Sequence, residues 1–443
     1  MDHTRDGDNM ATKLAFIRER SRTDPKRRWT TLIHLLSEAN LKECFDQLKR
    51  TAAPGVDQVT MQAYDEHLDE HLTDLVRRLK EKSYRPQPVR RVYIPKDQHQ
   101  QRPLGIPTVE DKIVQMAISR ILEAIWETDF LAVSYGFRPG RGAHQALTQL
   151  DRIIMTEPIE AVVDMDIEKF FDTVDQTWLL ECLKQRIADP NFLRLIVRFF
   201  KAGVMEDGHW QETDRGVPQG AVLSPVLSNI YLHYILDLWF ERQVKNGLVG
   251  KAHLIRYADD FVVCFEREAE AHHFAQQLKE RLAKFGLKIA ETKSRVLRFG
   301  RHPWMEAQRR GQKMASFDFL GFTHEGEKTR RGYFKLGRKT SRKKLRQKLV
   351  ALNQWFRAVR NACPLPEWWA TLAAKLRGHY QYYGISGNMP ALRVFFREAV
   401  RLAQKWINRR SQRRRYRGAR FWRLLEHHPL PPPRIVHRIY QFV

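Results

Sequence analysis

The chain has 443 residues, 43% hydrophobic and 11% aromatic, enough apolar material for two or three buried cores and too much for wholesale disorder. No apolar run reaches the 18 residues of a membrane span, residues 1–9 are polar and acidic rather than a secretory leader, and Cys44, Cys182, Cys264 and Cys363 are too scattered for a CxxC zinc module or a disulfide framework. The net charge of +26 is segregated: residues 328–443 hold 29 Lys and Arg against three acids (Glu367, Glu398, Glu426), whereas residues 1–327 carry 48 of each sign.

In chain order, residues 1–28 are polar and basic with little periodicity and read as a loose lead-in. Residues 29–48 place Leu32, Leu35, Leu36, Leu41, Phe45 and Leu48 at helical spacing, and Ala53-Pro54-Gly55-Val56-Asp57 breaks the pattern. A helix is expected over 68–82, then extended runs at 89–96 and 102–107 around a polar tip, and a helix over 112–126. Ser134-Tyr135-Gly136-Phe137-Arg138-Pro139-Gly140-Arg141 is a punctuated loop before a helix over 143–155. Residues 159–167 form a strand ending at Glu168-Lys169-Phe170-Phe171-Asp172, two helices fill 178–202, and Gly216-Val217-Pro218-Gln219-Gly220 is a turn leading into a helix from Ser224 to Trp239. A hairpin at 253–265, a helix over 271–285 and a strand around 294–299 complete the neutral part. The basic part reads as almost entirely helical (340–360, 367–383, 390–410), broken by residues 384–388 and followed by a Pro-rich tail that cannot be regular helix. A charge excess confined to one quarter of the chain signals a polyanion-binding module, nucleic acid first among its expected partners, with salt-sensitive affinity.

The chemistry gathers on carboxylates. His253–Phe265 holds two β-rich apolar runs flanking Asp259-Asp260. Inside a flat strand neighbouring side chains diverge; at a hairpin tip both acids sit together and call for a hard cation. Alone, such a pair is more often an ordinary acidic turn. A third acid, Asp166, lies where the 159–167 strand emerges; its bland reading is a cap or turn residue. If the two strands pair, three carboxylates converge, a cluster suited to two Mg²⁺ ions, with Mn²⁺ as a substitute, for phosphoryl transfer.

Taken together, Tyr257-Ala258-Asp259-Asp260, Asp166 through Phe171, Gly216 to Gly220 and Leu223-Ser224-Pro225 resemble a reverse transcriptase, and more narrowly the bacterial group II intron-encoded reverse transcriptase/maturases. Pro54-Gly55-Val56-Asp57, Arg102-Pro103-Leu104-Gly105-Ile106-Pro107, Ser134 to Pro139, Phe319-Leu320-Gly321-Phe322 and the run from Leu376 to Gly384 match in the same order, from Trp29 to the C-terminus. Each motif is weak; the ordered set is specific. The resemblance implies an α+β fold: a right-hand polymerase with fingers and palm on antiparallel sheet (29–327), preceded by an extension (1–28) and followed by an all-helical thumb/maturase domain (328–410) and a basic tail (411–443).

It also implies roles. Asp166, Asp259 and Asp260 would be catalytic and, with the backbone carbonyl of Ile167, would hold the metal; Asp259, first at the turn, leads the pair. Lys96 and Arg102 on a fingers hairpin would grip the triphosphate of a dNTP, and Gln219 would contact the nucleotide. Phe171 would be a steric gate against a ribose 2′-hydroxyl, with Phe170 the core residue. Lys293 would approach the pyrophosphate, and Arg138 would either steady the nucleotide pocket or hold its loop. Implied partners are a group II intron RNA, an RNA template with a DNA primer or target, and dNTPs, in the cytoplasm and away from membranes. Relatives that carry a DNA-endonuclease module end in His and paired Cys; only Cys363 lies beyond Cys264, so the tail resembles the endonuclease-lacking form. The expected function is RNA-directed DNA synthesis together with intron RNA binding for splicing and mobility. The alternatives are a splicing cofactor whose polymerase site is a relic and a reverse transcriptase serving phage defence or templated diversification.

Overall fold

The computed structural model describes residues 10–95, 101–410, 416 and 418–440. Within them the strands are β1 (Val89–Pro95), β2 (Gln101–Ile106), β3 (Ala161–Met165), β4 (Val204–Glu206), β5 (His209–Gln211), β6 (Ala252–Tyr257), β7 (Asp260–Phe265), β8 (Arg295–Arg298), β9 (Phe317–Phe319), β10 (Phe322–Lys328) and β11 (Phe334–Thr340). They form three sheets, ordered β2-β1-β4-β5, β6-β7-β3-β8 and β11-β10-β9.

The middle sheet organises the molecule. It is antiparallel throughout, with Tyr257 opposite Asp260, Met165 opposite Phe261 and Asp164 opposite Arg295. Beyond Asp260 every residue of β7 is buried, as a strand covered on both faces requires, and this is why it reads as a continuous apolar run. Alternation then sorts its side chains. Val163, Met165, Phe261, Val263 and Phe265 join a core built on helices Val109–Trp126, Ser224–Leu232 and Glu268–Lys284. Val162, Val262 and Cys264 join a second core containing helix Ala143–Thr156, strands β9 to β11 and the C-terminal helices. Each large side chain so buried contributes about 1.5–3 kcal/mol. The C-terminal helices Arg342–Val359, Leu365–Tyr383 and Met389–Ile407 thus share a core with the back of the middle sheet, through Phe356, Trp368, Leu372, Leu376 and Phe395.

The fold class agrees with the expectation: α+β, with antiparallel sheet followed by a mostly helical region. Several local expectations are corrected. Residues 10–28 are not a loose lead-in: Met10–Thr23 is a helix whose Met10, Leu14 and Ile17, spaced four and three apart, are buried. The expected helix over 29–48 is confined to Glu38–Gln47, because Trp29 instead bridges to Ile187 and residues 33–35 form a single 3₁₀ turn. The helix from Ser224 is α only to Leu232; His233–Asp237 and Phe240–Val244 are π-helical. The basic segment does not begin as helix, since the expected boundary at 327/328 falls inside the β10–β11 hairpin, where Lys328 pairs with Phe334. Helix Ala419–His427 follows in the tail.

Candidate active site

The β6–β7 hairpin closes through the two residues Ala258 and Asp259. Two-residue hairpin loops need positive φ to match strand twist, and Ala258 supplies it at φ +58°, a conformation that costs a residue with a Cβ roughly 1–2 kcal/mol. The surroundings hold it there. Arg256, fully buried two residues before Ala258, gives Nε and Nη2 to the carboxylate of Asp237 (2.7 and 2.6 Å) and Nη1 to Asn229 Oδ1 and the Ala258 carbonyl (both 3.0 Å). Asp237 reaches this position from the π-helical stretch, a local rewinding frequent at functional sites. From the other side, the Asn229 side-chain amide donates to the Gly136 carbonyl (2.8 Å). A Cβ on Gly136 would lie 2.4 Å from the Ala258 nitrogen, so only glycine allows the Ser134–Arg141 loop to pass beneath the turn. Arg138 belongs to this scaffold: buried, it donates to Glu127 and to the Leu131 and Ser134 carbonyls, so its role is to hold the loop.

Asp166 follows β3 directly. Its carbonyl accepts the Ala290 amide (2.8 Å), its own amide donates to Ser294 Oγ (3.3 Å), and its carboxylate lies 3.0 Å from Lys293 Nζ. Ile167 bridges Ile289, and the two bonds of that bridge run through Asp166 O and Glu168 N, leaving the Ile167 carbonyl outside them. The three predicted acids share one field. Burial raises Asp259, as does Asp166, against the opposing pull of Arg102 and Arg256. Asp260 is pushed up to about 7 by burial and then by Asp259, Asp164 and Asp166, with the Leu320 amide opposing. Asp260 keeps an exposed face, so water from the cleft screens part of that repulsion, and the direction remains upward.

Among the described residues no three His, Cys, Asp or Glu side chains stand close enough to enclose an ion, and the Asp166 carboxylate is paired with Lys293. The donor chemistry nonetheless fits a hard divalent cation: oxygen-only ligands, crowded and mutually repelling at the tip of a sheet.

The motif around Phe171 is clamped to the turn at residues 216–220. The Phe171 carbonyl accepts the Val217 amide (2.8 Å) and the Val174 carbonyl accepts the Gly216 amide (2.7 Å). Gly216, at φ +83°, would put a Cβ 2.7 Å from the Phe171 oxygen. Phe170 is buried while Phe171 is half-buried, their rings edge-on at 5.4 Å. The Gln219 carbonyl accepts the Gly105 amide of β2 (2.7 Å), tying this turn to the fingers ribbon. On that ribbon Arg102 pairs with Ile94 and is exposed, close enough to Asp259 to favour its charged form. Lys96 lies outside the described residues.

Sequence reasoning missed the supports. Besides Arg256, Asn229 and Asp237, the Leu320–Gly321 turn sits against Asp260. Leu320 adopts φ +50°, its carbonyl accepts the Tyr382 hydroxyl (2.9 Å), and the Gly321 carbonyl accepts the Ser341 amide (3.0 Å). The repeated aromatic Phe-Leu-Gly-Phe motif was the only visible signal. Lys344 feels Arg102 and Asp260 at once: burial and neighbouring cations push it down, and Asp260 pulls the other way. The C-terminal helices therefore reach the floor of the site.

A carboxylate-tipped antiparallel sheet, a fingers ribbon bound to the nucleotide-side turn and a helical region packed behind them define a right-hand polymerase fold. Residues 94–324 match the family of reverse transcriptases (RNA-dependent DNA polymerase), just over half of the chain, and the chain belongs to that family. It is similar to Protein YkfC of Escherichia coli (37% identical over 243 residues, 53% of this chain and 62% of that protein). It is also similar to the group II intron-encoded protein LtrA of Lactococcus lactis (40% over 178 residues, 40% of this chain and 29% of that protein). A Saccharomyces cerevisiae intron protein, the putative COX1/OXI3 intron 2 protein, is 33% identical over 177 residues, 40% of this chain and 20% of its own length. The matched stretch thus spans less than two thirds of each of these relatives. No helix among the described residues is long and apolar enough to cross a membrane.

Proposed function

We propose that this chain is an RNA-directed DNA polymerase, extending a DNA primer on an RNA template with dNTPs, and that it also binds its intron RNA to promote splicing and mobility. The observation that carries the reading is the β6–β7 tip, which brings Asp259 and Asp260 into one electrostatic cluster with Asp166 at the end of the paired strand β3. Asp166, Asp259 and Asp260, with the Ile167 carbonyl, would hold two divalent ions, Mg²⁺ or Mn²⁺ in its place. Bound there, such ions would lower the barrier to attack by the primer 3′-hydroxyl and neutralise charge on the leaving pyrophosphate. The protein's own work is positioning. Arg102, with Lys96, would hold the triphosphate; Phe171, fixed by Val217 and Gly216, would present its ring where a 2′-hydroxyl would stand; Gln219 would meet the nucleotide. Lys293, seated on Asp166, balances that carboxylate until pyrophosphate competes for its ammonium group.

The test is cDNA synthesis on an RNA template with Mg²⁺. Asp259→Ala is expected to lower it by at least about a hundredfold; synthesis at the parental rate would overturn the proposal. A second reading, intron RNA binding without synthesis, is favoured by the charge of the C-terminal region, where 29 cations meet three acids. Measuring splicing and synthesis in the same Asp259→Ala protein separates the two, because RNA binding needs no carboxylate.

A further inference from the structure

A cavity of about 650 Å³ lies away from the carboxylates, between residues 33–39, the end of helix Leu68–Lys80 and helix Pro190–Lys201. Its floor is apolar, with Leu36, Val76, Leu79 and Leu195 all buried. Its rim carries four cations, Lys80, Lys82, Arg194 and Arg198, against one acid, Glu38, and among the described residues none of the four is ion-paired to a carboxylate. On the same helix as Lys80, Arg77 by contrast pairs with Asp74 and Glu81. Arg198 shows the imbalance most clearly. Its guanidinium donates only to the Tyr84 and Lys82 carbonyls (2.8 and 2.9 Å), and burial together with Arg85 and Arg194 pushes it below the usual arginine range. Those two bonds hold the Lys82–Tyr84 turn, with Lys82 at φ +61°, so the rim is built rather than loose. Asn191 and Ser37 add neutral hydrogen-bonding groups.

A half-open hollow in the size range of small-molecule sites, apolar beneath and with cations outnumbering acids at its rim, is complementary to a ligand with an anionic end and a flat, largely apolar body. We propose that this cavity binds a nucleoside phosphate, the phosphate at Lys82 and Arg194 and the base over Leu79 and Leu195, with Asn191 available to its edge. Two sources carry this chemistry: an unpaired nucleotide of an RNA strand, or a free mononucleotide. The site is separate from nucleotide incorporation and does not rest on the polymerase reading.

The experiment is photocrosslinking of the full chain with 8-azido-AMP, followed by peptide mapping and competition. Label is expected within residues 76–85 or 190–198 and is expected to persist in Asp259→Ala. Lys82→Glu with Arg194→Glu is expected to weaken AMP binding at least tenfold while extension on a pre-annealed template-primer stays within twofold; Lys82→Gln with Arg194→Gln, a milder pair, is expected to weaken it several-fold with an unchanged unfolding midpoint. Competition by an unstructured 12-nucleotide RNA at lower concentration than AMP assigns the site to RNA, and competition by AMP alone assigns it to the free nucleotide. Label confined to palm peptides, or AMP affinity within twofold of the parent in both double variants, would overturn the proposal.

Discussion

The buried pair beneath the catalytic turn offers the sharpest test of how this site is built. Arg256 and Asp237 are both fully buried, and two charge-assisted bonds join them at 2.6–2.7 Å. Asp237→Ala removes both acceptors and leaves a guanidinium with only Asn229 Oδ1 and the Ala258 carbonyl, both on Nη1. An uncompensated buried charge of this kind costs about 3–5 kcal/mol, a large share of the 5–15 kcal/mol typical of folded proteins. The paired replacement Asp237→Leu with Arg256→Met removes both charges, and such swaps range from neutral to stabilising. It does not replace the bond to Ala258, whose left-handed backbone then lacks its donor. Urea unfolding and cDNA synthesis, measured on all variants, should therefore diverge: the single variant loses stability and activity, whereas the double variant regains stability and stays impaired in synthesis. A double variant with full activity would refute the idea that Arg256 positions the turn, and a loss below about 1 kcal/mol in Asp237→Ala would refute its energetic basis.

Three further outcomes follow from named groups. Phe171→Ala should admit ribonucleotides, lowering discrimination against them by about 10–200-fold, the worth of one steric contact; competing dNTP and rNTP incorporation measures it, and unchanged discrimination would assign the gate elsewhere. Because the C-terminal helices share a core with the palm sheet, the RNA-binding test is charge neutralisation rather than truncation: Arg342, Arg346, Lys348 and Arg377, all exposed, changed together to Gln should lower the salt slope of single-stranded RNA binding by up to about 3, and an unchanged slope would place the RNA on another face. His233 and His379 are held by burial at about 4, below the usual 6.5; the folded state disfavours their protonation, so stability is whole above pH 6.5 and falls as pH drops toward 4, by about 2–3 kcal/mol per histidine at pH 4.5. Urea midpoints at pH 7 and 4.5 check this, and a His379→Phe variant should lose part of the dependence.

Much of the fold was legible because strand and helix periods leave their mark on single segments. The run from Phe261 to Phe265 announces a strand buried on both faces, and Asp166 and Asp259-Asp260 stand at strand ends where loops carry chemistry. What the sequence could not show is pairwise. Nothing local distinguishes Asp237 from any other acid on an amphipathic helix; it becomes the partner of Arg256 only because the helix is rewound at His233–Asp237 and the β6 strand passes beside it. Arg138 read equally well as a pocket or a loop residue, and only its three acceptors, Glu127 and the Leu131 and Ser134 carbonyls, favour the loop. The Met10, Leu14 and Ile17 stripe was hidden because Ala11, Ala15 and Phe16 on the other faces blur the period, and no apolar residue continues it beyond Ile17.

The same reasoning explains why charge composition divided the chain where packing does not. Net charge records mainly what faces water, and most of the described cations of residues 328–443 face outward, the buried Arg338 excepted, while Phe356, Trp368, Tyr380 and Phe395 face the sheet that carries the carboxylates. The two parts meet at the site itself. Tyr382, on a helix of the basic region, holds the Leu320 carbonyl, and the Leu320 amide draws down Asp260; Lys344, in the first turn of another, lies in the field of that same carboxylate. The helices whose cations we propose to meet RNA also brace the Asp259–Asp260 turn. Strain placed on them by a bound RNA would have a short physical path to Asp260, through the Tyr382 hydroxyl and the backbone of the single residue Leu320.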